Sequence, residues 1–226
     1  MERYFDQELA ALKSEILRMD SLVEAAIIRS VESLKKLDAL EADSVITADE
    51  NIDELELQID ERCLDLLALR QPMAHDLRFI AMAMKITTDL ERMADLAVDI
   101  AQRVLEMSGK PLLKPLVDIP KLAVLAQKMV KGAINAFIDE DARSAGQIII
   151  LDAQADKLRN LVQRELIDDY ILKDPLSAAR AISLLLVARH LERICDHATN
   201  ISEDVIYMAQ ARVVKHHPEK LEEGKG

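Results

Sequence analysis

The chain has 226 residues and a formal charge of −12; half of it is hydrophobic, but only 3 % is aromatic and tryptophan is absent. That length suits one large domain or two small ones, and the acidic balance disfavours nucleic acid and anionic membrane surfaces as partners. A core limited to Leu, Ile, Val, Met and Ala favours helix-on-helix packing over a sheet sandwich. With 5 Gly and 6 Pro, turn signals are few and the elements should be few and long.

The first segment, roughly Glu2 to Leu40, repeats apolar residues every seven positions at Phe5, Leu12, Met19 and Ala26, with Leu9, Ile16 and Val23 filling the second seam. This is a helical stripe of coiled-coil type. A second helix is predicted over Ala42 to Arg70, with Val45, Ile52, Ile59 and Leu66 at the same spacing. Pro72 marks a corner and opens a third helix running to about Met107. Gly109, Pro111, Pro115 and Pro120 then punctuate a linker. Three more helices are predicted over Lys121–Asp139, Asp141–Leu172 and Pro175–Arg212, and a frayed tail from Lys215. The expected domains are therefore 1–110, a linker at 111–120, and 121–226.

The halves repeat. Asp38, Asp49, Asp53 and Pro72 reappear at Asp141, Asp152, Asp156 and Pro175, displaced by 103. Leu90-Glu91-Arg92 and Asp95 reappear as Leu191-Glu192-Arg193 and Asp196, displaced by 101. A repeat that keeps Asp, Glu and Pro, beyond apolar spacing, indicates duplication of a functional unit. The fold expected is all-α: two tandem three-helix bundles related by a pseudo-twofold.

On a helical wheel Ile80, Met84, Leu77, Val98 and Leu105 fall within about 40° of Glu91. Glu91 and Asp95 are thus read as interrupting an apolar stripe, and Glu192 and Asp196 do the same in the sixth helix. Asp49/Asp53 and Asp152/Asp156 supply a partner pair from the preceding helix of each half. Glu56 and Asp60 extend the first row, but Arg159 and Gln163 replace them in the second. Acids set into a packed seam need protons, basic partners or a metal ion, and a hard cation is well served by several carboxylates. Two other readings remain open: the acids pair with Arg92 and Arg193 on a solvated face, or they line a groove for a partner's basic residues.

The other polar residues carry less. His190 and His197 flank the second acid pair; His190 is read as a surface residue with a ligand role left open, His197 lies off the stripe, His75 in a first turn, and His216 and His217 in the tail. Cys63 and Cys195 are too isolated for a metal pattern or a disulfide framework and are read as buried small hydrophobes. Met1-Glu2-Arg3-Tyr4-Phe5 lacks a basic region leading into an apolar stretch, so no signal peptide is read. Apolar runs such as Leu184 to Ala188 are too short to span a bilayer. These features fit the cytoplasm, without direct membrane insertion.

The run from Leu90-Glu91-Arg92 through Asp95 to Ile100 is similar to the first signature of the PhoU family of phosphate-uptake regulators. Leu191-Glu192-Arg193 through Asp196 to Ile201 resembles the second, and Gln71-Pro72-Met73-Ala74-His75-Asp76-Leu77-Arg78 resembles the corner before the family's third helix. The resemblance spans nearly the whole chain. It implies metal motifs on Asp49, Asp53, Glu91, Asp95, Asp152, Asp156, Glu192 and Asp196, holding iron, zinc, manganese or magnesium. It implies a homodimeric, non-enzymatic negative regulator that links the ATPase subunit of the Pst phosphate transporter to the sensor histidine kinase PhoR. A carboxylate-bridged metalloenzyme is the rival, disfavoured because none of the five histidines follows a Glu by three positions. A metal-free helical adaptor is the third reading.

Overall fold

The structure, a computed structural model, describes residues 2–212. The expected tail from Lys215, with His216 and His217, lies outside the described residues. Among those described the chain is helical with no strand. Helix α1 spans Glu2–Lys36, α2 Ala39–Ala48, α3 Glu50–Arg70 and α4 Ala74–Met107. The second half contains α5 over Asp118–Ile138, α6 over Ala142–Glu165 and α7 over Ala178–Gln210. A π-helical turn at Leu166–Ile171 and a 3₁₀ turn at Pro175–Ser177 join α6 to α7. The expected fold class holds, with one break: the predicted second helix divides at Asp49. The Asp49 N–H reaches back to Ile46 O at 3.4 Å, and the ordinary ladder resumes when Asp53 N–H donates to Asp49 O at 3.1 Å.

The two halves turn their first corner alike. Leu37 and Glu140 sit in the left-handed region at φ 51° and 57°. The next amide, of Asp38 or Asp141, donates back to Ser33 O or Ala136 O, closing the helix end. The Asp38 side chain then accepts from the Leu40 and Glu41 amides, and the Asp141 side chain from those of Arg143 and Ser144. Each thus caps orphan donors of the following helix. One duplicated acid pair is therefore structural: Asp38 and Asp141 build corners and lie apart from the site acids.

In the first bundle α1, α2–α3 and α4 pack together; in the second, α5, α6 and α7 do. The heptad residues Leu12, Ile16, Met19, Val23, Val45, Ile52, Ile59 and Leu66 are all buried. The bidentate Arg62–Glu15 and Arg70–Glu8 pairs stitch α3 to α1 along their outer edge. The bundles join through α4 against α7 and α1 against α5, and their interiors form one continuous core. At one end of this joint Phe79 of α4 stacks on Phe137 of α5 at 4.7 Å, with Lys13 of α1 over the Phe79 ring. The connection after α4 is tied down: Lys114 is buried and paired with Glu165, and Arg180 donates to Pro111 O.

The α1–α5 joint contains a polar misfit. Asp20 is 6 % exposed, and its Oδ1 has no hydrogen-bond partner. Burial, then the charge of Glu24, pushes its carboxyl up to about 7, against the pull of Lys131. Because the folded value lies above the unfolded one, this group favours folding below about pH 4, and that contribution is lost as pH rises to about 7. Asp20→Asn removes the titration, while any fixed cost of a buried amide cancels in the slope. The stability advantage of the variant over the parent, from urea melts, should therefore grow by about 1.4 kcal/mol per pH unit between about pH 4 and 7, and be flat outside it; a constant difference would refute this. Asp141→Ala removes a cap and should cost about 1 kcal/mol in the same assay.

Candidate metal centre

The acids predicted as a site do gather, four in each half. In the first, Asp49 and Asp53 at the α2–α3 break face Glu91 and Asp95 of α4: burial, then Asp53, Asp95 and Glu91 in turn, raise the Asp49 carboxyl to about 6. Glu91 is raised by burial and by Asp95, against Arg92. In the second, burial, then Asp156 and Glu192, raise Asp152, while Thr199 opposes. Asp196 is raised to about 6 by partial loss of hydration, then by Glu192, Asp152 and Asp156. In each cluster two of the four carboxyls are thus held up by burial and by the like charge of their neighbours.

Their position differs from the wheel expectation. Leu77 is 45 % and Leu105 37 % exposed. The buried face of α4 runs instead through Ala83, Leu90, Ala94, Ala97 and Ala101, centred roughly 100° from Glu91. Glu91 and Asp95 sit on the rim of that face. The same holds in α7, where Leu184, Leu191, Ala198 and Ser202 are buried and Glu192 and Asp196 flank them. The cause is that α4 and α7 each pack against their own bundle and against each other, so their buried arcs are wide and turned toward the joint. The rim leaves the acids graded in exposure: side chains are 20 % exposed for Glu91 and 15 % for Glu192, but 48 % for Asp95 and 53 % for Asp156.

Basic partners reach both clusters, unequally. In the first, Arg92 Nε lies 3.4 Å from Glu91 Oε2 without hydrogen-bond geometry, so that buried oxygen has no hydrogen bond; Arg92 also contacts Asp95 at 3.4 Å. In the second, Arg193 does not play this part. Arg159 of α6 donates to Glu192 Oε1 at 3.0 Å and contacts Asp156 at 3.5 Å, and the Thr199 hydroxyl donates to Asp152 at 3.5 Å. As placed, no group of three or more His, Cys, Asp or Glu side chains among the described residues is arranged to hold a metal ion. The donor chemistry nevertheless suits a hard cation: all eight are carboxylates, and one buried oxygen of the first set lacks a partner.

Sequence reasoning missed the histidines. His190 is 14 % exposed in its side chain and lies inside the joint, 3.6 Å from Asp99 of α4. Burial lowers its pKa against the pull of Asp99, with Arg193, Arg103 and Arg189 adding to the lowering. His197 Nδ1 donates to Asp89 Oδ1 at 2.8 Å. With Lys85–Asp204 at 2.6 Å they form a polar ladder between antiparallel α4 and α7. The signal available was the broken repeat: His190 stands where the first half has Asp89, and His197 where it has Leu96. Cys63 and Cys195 are buried as expected; burial pushes the Cys63 thiol up to about 12 and also raises Cys195.

Fold and site together define a duplicated helical-bundle protein with one carboxylate cluster per half. A family model described as the PhoU domain matches the chain twice, over residues 16–104 and 119–205. The chain belongs to the PhoU family. It is 41 % identical to the phosphate-specific transport system accessory protein PhoU homolog of Aquifex aeolicus, over 93 % of this chain and 95 % of that one. With the homolog of Pseudomonas putida it shares 36 % over 96 % and 84 %. The crystal structure of PhoU from Pseudomonas aeruginosa superposes with a TM-score of 0.87 at 35 % identity, covering 92 % of this chain and all of the other. That of the phosphate transport system regulatory protein PhoU from Streptococcus pneumoniae gives 0.86 at 30 %, covering 93 % and 99 %.

The unequal pairing yields a contrast. In chelator-treated protein Glu91→Gln removes a charge whose buried oxygen lacks a hydrogen bond, and should raise stability by about 0.5–1 kcal/mol. Glu192→Gln breaks the Arg159 pair and should leave stability unchanged or lower. Equal shifts in denaturant melts would contradict this assignment.

Proposed function

We propose that the chain is a non-enzymatic regulatory accessory of a phosphate-specific transport system, and that its two carboxylate clusters hold cations. The observation that carries the metal reading is the convergence of four acids from two facing helical segments in each half, where burial and like charge oppose the ionisation of Asp49 and Glu91 in one half and of Asp152 and Asp196 in the other. Asp49, Asp53, Glu91 and Asp95 would hold one ion or ion group, and Asp152, Asp156, Glu192 and Asp196 the other; the family's range of iron, zinc, manganese or magnesium frames the choice. A cation supplies the positive charge that ties the two acid-bearing helices together. The chain's own part is to present the acids on the rim of a rigid core, one turn apart on each helix, and to release Arg92 and Arg159 from them. The relatives' names, accessory and regulatory proteins of phosphate transport systems, support the transport and regulatory role.

In the finer reading the protein is a cytoplasmic homodimer that negatively regulates the phosphate-starvation response. It binds the ATPase subunit of the Pst transporter and the sensor histidine kinase PhoR, and its clusters fix the surface those partners read. No described helix is long and apolar enough to cross a membrane, which suits docking onto a transporter from outside the bilayer.

Elemental analysis of protein purified without added metal or chelator tests the first step. Bound metal should fall in Asp49→Ala/Asp53→Ala and in Glu91→Ala/Asp95→Ala, and chelation should lower Tm and weaken pull-down of the ATPase subunit and the kinase. Metal-free protein with full stability and full partner binding would instead establish a metal-free adaptor whose acids are balanced by Arg92 and Arg159.

A further inference from the structure

The two halves differ most beside their acid clusters. Between α6, the π-helical turn and α7 runs a groove of about 570 Å³ with an apolar floor of Ile167, Ile182, Leu185 and Leu186. Arg159, Arg189 and Arg193 line it, and Glu192 and Asp196 form its edge toward the cluster. Arg159 is engaged with that edge. Arg189 and Arg193, one turn apart on α7, are exposed and make no hydrogen bond or ion pair among the described residues. Like charges at that spacing repel, so nothing within the described chain explains the pair. Ile182 in the floor is 50 % exposed, and the connection from α6 to α7 adds two exposed leucines, Leu172 at 71 % and Leu176 at 93 %.

The same place in the first half is built otherwise. Glu56 stands for Arg159, Asp60 for Gln163 and Thr88 for Arg189, while Arg92, the counterpart of Arg193, is tied to Glu91 and Asp95. In a chain of net charge −12, two unengaged guanidinium groups over an open apolar floor mark a local reversal of charge. A groove between two helices of a three-helix bundle accepts a further helix by ridge-and-groove packing. Its volume exceeds what an inorganic anion fills. The apolar floor of Ile167, Ile182, Leu185 and Leu186 favours a helix with one apolar face over a sugar-phosphate backbone or a lipid headgroup, neither of which offers side chains to pack on it.

We infer that this groove docks an acidic amphipathic helix of a protein partner, with apolar side chains on Ile182, Leu185 and Leu186 and carboxylates on Arg189 and Arg193. The inference rests on the adaptor reading, since it gives one half of that adaptor its partner. The divergence of the duplicated groove makes the halves unequal: the second receives an acidic helix, and the first does not.

The test selects a phage-displayed library of amphipathic helices of about five turns, half with acidic and half with basic polar faces, against the full chain. Acidic members should be enriched. Their synthetic peptides should bind Arg189→Glu/Arg193→Glu at least about tenfold more weakly by fluorescence anisotropy. Lys128→Glu, on the exposed face of α5, should change affinity by less than about twofold. Metal content of the variants, read by elemental analysis, should match the parent, which separates loss of docking from failure of the clusters. Enrichment of basic or uncharged helices, or unchanged affinity in the double variant, overturns the inference. Displacement of the peptide by inorganic phosphate but not by chloride of equal ionic strength also overturns it and makes the groove a small-anion site.

Discussion

The packing of α4 against α7 is the constraint from which the rest of the molecule follows. Each helix runs for more than thirty residues, long enough to serve its own bundle on one side and the other bundle on the other. Small buried residues make the double duty possible: Ala83, Ala94, Ala97 and Ala101 in α4, and Ala181, Ala188 and Ala198 in α7, are at most 1 % exposed. Small side chains keep helix axes close, so the surface buried per turn is large without aromatic bulk. The single core that results spans both bundles, which explains how a chain with 3 % aromatic residues closes an interior at all.

The site is a consequence of that geometry. A helix whose buried arc is wide has a narrow rim on either side, where a side chain is half in water and half against protein. Glu91, Asp95, Glu192 and Asp196 occupy one such rim, and the acids of α2–α3 and α6 meet them there. Fully buried, four carboxylates would be protonated or would unfold the bundle; fully solvated, they would repel weakly and organise nothing. On the rim they keep enough water to ionise and enough burial to favour a counter-charge. Asp49 and Asp196, both raised to about 6, sit at this balance.

Much of this was legible in the chain itself. The heptads placed the helices because each inward stripe of α1 and α3 faces one core, and the displaced copies of Asp and Glu named the acids that meet. The wheel failed for α4 and α7 because it was centred on the acids, and a helix with neighbours on two sides has no single stripe to centre on. His190 was misread for the same reason: its helix face looks outward only if the first bundle, whose α4 lies against it, is ignored. The break at Asp49 left no mark, because Asp49 keeps helical dihedrals at φ −61° and ψ −34° and only the hydrogen-bond ladder slips. Asp38 and Asp141 show the converse. Their copying was read as part of a functional set, yet they are helix caps, and duplication preserves a corner as faithfully as a site.

The differences between the halves carry as much information as the repeats. The joint is held by Lys85–Asp204, His197–Asp89 and His190 near Asp99, and none of these has its mirror partner under the duplication. Two identical units could slide or exchange along an antiparallel α4–α7 contact, since a symmetric apolar surface offers several registers of similar energy. Unlike polar pairs at unequal heights favour the one register in which Lys85 meets Asp204 and His197 meets Asp89, because a shift strands these groups at a cost of about 1–3 kcal/mol each. The ladder therefore fixes how the bundles sit on each other. Through that it fixes the relative placement of two clusters that share donors and differ in neighbours: an orphaned Glu91 oxygen in one, an Arg159-bonded Glu192 in the other.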